Sequence, residues 1–108
     1  MSTSNPVLTL VTYTPKSGKE SALQALVEQH WPTLDRLGLV TKEPARIWRA
    51  VNKRTGAVSF VEIFSWKDEE ASEVAHQTPE VMAVWEPMGA VMESLGLARL
   101  EPLASRGA

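Results

Sequence analysis

The chain has 108 residues, 44% hydrophobic and 22% charged, which suits one domain with one core and excludes a fibrous or disordered chain. Its formal charge of −2 comes from 11 basic and 13 acidic residues spread along the sequence, so no basic stripe is available to neutralise a nucleic-acid backbone. There is no cysteine, which removes disulfides, thiolate nucleophiles and Cys-ligated metal sites, so any chemistry falls to histidine, carboxylates, hydroxyls, tryptophan or a bound cofactor.

No stretch approaches the ~20 apolar residues of a membrane-crossing helix. The polar start Met1 to Pro6 lacks the charged-then-apolar order of a signal peptide, so a soluble protein in the cytoplasm is expected.

Val7 to Tyr13 is short, rich in β-branched residues and bounded by Pro6 and Pro15, and reads as a first strand. Ser17 and Glu20 have the spacing of a capping box, in which a serine hydroxyl and a glutamate each satisfy a free amide of a helix start. Leu23, Leu26, Val27, His30, Leu34 and Leu37 then recur at helical spacing up to Gly38, a good left-handed cap. Pro32 falls inside this pattern and is expected to kink or break the helix near Glu28.

Ala45 to Val51 and Ala57 to Phe64 flank the turn-like Asn52 to Gly56, which predicts a β-hairpin. The acids Asp68, Glu69 and Glu70 complement the start of a short helix with the apolar stripe Ala71, Val74 and Ala75. Thr78, Pro79 and Glu80 then supply an N-cap, a first-turn proline and a first-turn acid for a further helix. Val81, Met82, Trp85, Met88, Met92 and Leu95 carry that helix to Gly96, with Pro87 predicting a bent or two-piece region. Leu97 to Glu101 reads as a last short strand, and Ala104 to Ala108 as a loose tail.

Strand, helix, hairpin, helical region and strand together give the βαββαβ order of a ferredoxin-like α+β fold. Right-handed crossovers would place the helices on one face of a four-stranded antiparallel sheet, in a single domain whose core spans about residues 6–103. The strands at 7–13 and 57–64 are apolar on both faces, so the uncovered face calls for a second copy and a homodimer is expected. Shielding of that face by residues 97–108 in a monomer is the alternative.

The stretch Phe60 to Trp66, the acids after it, Ala71 and His76, together with the element order, resemble the dimeric α+β barrel superfamily. Within it the likeness is to antibiotic biosynthesis monooxygenase-like proteins. This resemblance implies a cofactor-independent monooxygenase, or a related small-molecule enzyme, acting on an aromatic or phenolic substrate between helices and sheet. It also implies that His76, in the second helix, is the catalytic residue. The haem-degrading members of the superfamily combine an asparagine, a tryptophan and a histidine; the first strand here has no asparagine, and no cofactor is expected.

Imidazole titrates near neutral pH and can move a proton, but His76 sits at the border of its helix's apolar stripe. A helix-end histidine paired with Glu73 or Glu80 fits that position equally. His30 lies on the first helix's stripe, as a pocket residue or a core histidine with one hydrogen bond. Glu62 interrupts an apolar strand, either as an ion-pair partner of Arg46 or Arg49 or as a polar spot in a pocket.

Trp48, Trp66 and Trp85, with Tyr13, Phe64, Met82, Met88 and Met92, are candidate walls for a flat aromatic ligand, or plain core. His76 with Glu73 or Glu80 offers only one imidazole, so no metal site is expected. The other reading of the chain is a non-catalytic dimeric module that binds an apolar ligand or a protein.

Overall fold

The computed structural model describes residues 5–103. Strand β1 (Val7–Pro15) leads to helix α1 (Glu20–Arg36), and strands β2 (Arg46–Val51) and β3 (Val58–Trp66) follow. Helices α2 (Ala71–His76) and α3 (Pro79–Val91) then precede strand β4 (Met92–Arg99). The tail expected at Ala104 to Ala108 lies outside the described residues.

The strands form one antiparallel sheet in the order β2-β3-β1-β4, the ferredoxin-like arrangement. Pairing of Val11 with Glu62 and Tyr13 with Phe60 puts Thr9, Val11, Tyr13, Phe60, Glu62 and Phe64 on one face, and all six are buried. Burial alternates with the two-residue period along β1 and β3, as expected when one face packs against helices. Helix α1 contributes Leu23, Val27, His30 and Leu34 to that core, and α3 contributes Val81, Val84 and Met88.

The opposite face carries Leu8, Leu10, Val61 and Ile63 on the central strands and Trp48 on β2; none of the five is fully buried. No described helix covers it.

The helices differ from expectation in three ways. First, α1 starts at Glu20 with Lys19 as its N-cap and no side-chain cap, so the Ser17–Glu20 box does not form. Gly18 and Gly38, at φ 75° and 72°, turn the chain into and out of this helix.

Second, Pro32 and Pro87 both lie inside continuous helices. A helix-interior proline costs about 3 kcal/mol, and burial of Leu34 beyond Pro32, and of Val84 and Met88 on either side of Pro87, opposes the break.

Third, α3 ends at Val91 and β4 begins at the next residue, so Met92, Leu95 and Gly96 belong to a strand rather than a helix. The Lys16 amide donates to the Val91 carbonyl at 2.9 Å and ties this joint to the end of β1.

The hairpin forms with slightly shifted limits. Asn52 Oδ1 accepts from the amides of Arg54 and Thr55, and Gly56 takes φ 77°.

Candidate functional site

Helices α1 and α3 pack together over the middle of the sheet and leave β4 without a helix above it. A cleft of about 480 Å³ opens there between α2, α3, β1 and β4, within the roughly 300–1,000 Å³ usual for small-molecule sites. Thr9, Val11 and Tyr13 of β1 and Phe64 and Trp66 of β3 line its sheet side. Helix residues His30, Ser72, His76, Trp85 and Met88 form another wall, and Leu95, Leu97 and Arg99 of β4 form the outer rim. Leu97 is 70% exposed, so the rim is apolar and open.

Of the residues singled out in the sequence, Tyr13, His30, Trp66, His76 and Trp85 meet at this cleft. Trp48 does not: its pairing with Val61 puts it on the opposite face of the sheet, 48% exposed. Glu62 is fully buried, not part of the cleft lining, and pairs with neither arginine. Ile47 is its neighbour across the strands, and Arg49 bonds Glu20 at 2.7 Å instead.

His76 ends α2 at the mouth of the cleft. Its Nδ1 lies 2.8 Å from the Ser72 carbonyl. A carbonyl only accepts, so Nδ1 carries a proton, and in the neutral ring the lone pair lies on Nε2. This intrahelical bond takes the place of the Glu73 or Glu80 pairing, and the imidazole packs edge-on against Trp85 with ring centroids 4.7 Å apart.

Deeper, Glu62 Oε1 is 2.5 Å from the Tyr13 hydroxyl and 2.8 Å from His30 Nδ1. His30 Nε2 accepts the Trp85 indole N–H at 2.8 Å. Burial of the Tyr13 phenol, and then the charge of the Glu62 carboxylate and its hydrogen bond, push the phenol's pKa well above its usual range. Tyr13 is therefore a donor throughout the neutral range.

The sequence did not single out Ser72, Leu95, Leu97 or Arg99. Ser72 was readable as the residue one helical turn before His76. Leu95 was hidden by its helix-like spacing, whereas Leu97 and Arg99 were read as strand residues with no signal that they face a cleft. Among the described residues, no three His, Asp or Glu side chains converge on a position that could hold a metal ion, and no helix is long and apolar enough to cross a membrane.

No protein-family model and no curated protein matches the sequence. Solved structures do match in fold. SnoaB, a cofactor-independent oxygenase from Streptomyces nogalater, is 16% identical with a TM-score of 0.68 over 94% of this chain and 98% of its own. A structure described as an antibiotic biosynthesis monooxygenase is 12% identical, also at 0.68, over 90% and 98%. A protein from Arabidopsis thaliana is 11% identical at 0.71, over 94% and 99%. The chain thus shares the ferredoxin-like α+β fold of antibiotic biosynthesis monooxygenase-like proteins.

Proposed function

We propose that this chain is a cofactor-independent monooxygenase acting on a phenolic aromatic substrate in the cleft, with His76 as the base. The observation that carries this reading is the His76 ring: its Nδ1 is held by the Ser72 carbonyl, and the ring lines an apolar cleft beside Trp85.

An anthrone, through its phenolic tautomer, is the simplest substrate of this class. His76 Nε2 takes the hydroxyl proton, and the resulting enolate reduces O2 at the ring carbon. One oxygen atom stays there as a carbonyl, and the other leaves as water with the remaining hydrogen of that carbon and the proton returned by His76. The apolar walls exclude bulk water from the reacting carbon. A cleft of this lining favours an enzyme over a binding module.

The uncovered sheet face supports a homodimer, since Leu8, Leu10, Val61, Ile63 and Trp48 form one apolar surface with no helix above it.

Oxygen uptake with a panel of hydroquinones and anthrones tests the proposal. Uptake above buffer is expected, reduced about 100-fold in His76→Ala. Uptake no faster than buffer across the panel removes the oxygenase reading, and equal rates for both proteins remove His76 from it.

A further inference from the structure

A hydrogen-bonded chain beneath the cleft takes no part in the chemistry above. An indole N–H only donates, so His30 Nε2, which receives it from Trp85, must carry a lone pair. A neutral ring then has its proton on Nδ1, directed at Glu62 Oε1. The Tyr13 hydroxyl, 3.3 Å from that protonated nitrogen, donates to the same carboxylate oxygen instead. Glu62 therefore sets the tautomer of His30, that tautomer creates an acceptor, and the acceptor holds the Trp85 indole.

The arrangement is unfavourable as plain core. Glu62 has 0% exposure, and its second oxygen, Oε2, has no partner among the described residues. An unpaired acceptor in an apolar interior costs free energy that a well-packed apolar cluster would avoid. What the chain of bonds reaches is Trp85, which lines the cleft and packs against His76.

We infer that Glu62 and His30 are positioning residues that hold the Trp85 indole as a fixed aromatic wall of the cleft, where a flat aromatic ligand stacks. The ligand class rests on the proposed function, whereas the hold on the indole does not. Phe64 packs edge-on against His30 from the sheet, with ring centroids 5.7 Å apart, and limits the imidazole to this orientation.

The test uses the indole Nε1–H proton resonance of Trp85, assigned with Trp85→Phe, together with calorimetric binding of 2-naphthol. In the wild type the resonance is expected downfield and slow to exchange. Glu62→Gln keeps an amide oxygen for His30 Nδ1–H, so it should retain the resonance and bind 2-naphthol within about twofold of wild type.

His30→Leu should lose the resonance and bind roughly five- to tenfold more weakly, the worth of about one hydrogen bond. The triple variant Tyr13→Phe, His30→Leu, Glu62→Met removes every partner together and should fold with little change in melting temperature. It should show the same loss, and it decides the matter if His30→Leu does not fold.

An unchanged indole resonance in the triple variant overturns the hold on the indole, and a wild type that does not bind 2-naphthol overturns the aromatic-ligand part of the inference. Oxygen uptake separates this result from the proposed reaction. A wild type that binds 2-naphthol with a protected indole but consumes no oxygen loses the oxygenase reading and keeps the positioning role.

Discussion

The Tyr13 hydroxyl donates to Glu62 Oε1 across 2.5 Å, joining β1 to β3 beneath α1. Tyr13 is the chain's single tyrosine, so its ionisation can be followed alone by ultraviolet difference absorbance. Its folded-state pKa is raised above the usual phenol value of about 10, so the neutral form is the one the fold prefers. The stability this contributes is complete below the unfolded-state pKa and is lost as pH rises beyond about 10. No tyrosinate signal is expected until the protein unfolds in alkali, and absorbance and circular dichroism should change together. Tyrosinate appearing near pH 10 in a protein still folded would show that the phenol is not held as described.

Trp48 occupies the uncovered face of the sheet rather than the cleft. In Trp48→Glu a charge replaces an aromatic ring on the expected dimer surface, where desolvating it is costly. Sedimentation should give a dimer for the wild type and a shift toward monomer for the variant, with oxygen uptake per protomer serving as a check on the cleft. A wild type that sediments as a monomer at high concentration rules the dimer out.

Ser17 and Gly38 separate capping spacing from capping geometry. Ser17→Ala should change stability by less than about 0.5 kcal/mol, because no side chain caps α1. A working serine cap would lose about 1 kcal/mol. Gly38→Ala should cost about 1 kcal/mol because its φ of 72° is strained for a residue with a Cβ, even though the space around it is open. Urea denaturation measures both, and equal effects at the two sites would contradict this account of the helix ends.

The element order was legible because β1 and β3 carry β-branched runs and the hairpin turn carries asparagine and glycine where the backbone needs them. The beginning of β4 was not. Met88, Met92 and Leu95 continue the helical spacing of α3, and the only apolar alternation in β4 is Leu95 with Leu97.

The surroundings of Glu62 were illegible for a different reason. Direct pairing sets Glu62 opposite Ile47 on β2 and Val11 on β1, whereas its partners are His30 of α1 and the offset Tyr13 of β1, 32 and 49 residues away in sequence. Trp85 is 55 residues from His30, and no local pattern reports a contact over that separation.

The absence of a loop between Val91 and Met92 constrains how the cleft can evolve. Trp85 and Met88 stand on one side of this joint, and Leu95 and Leu97 stand on the other. One residue inserted there would rotate every β4 side chain to the opposite face of the sheet and strip the rim from the pocket. Length changes are therefore closed to this wall, and a new ligand would have to be accommodated by exchanging side chains one at a time on an unaltered backbone.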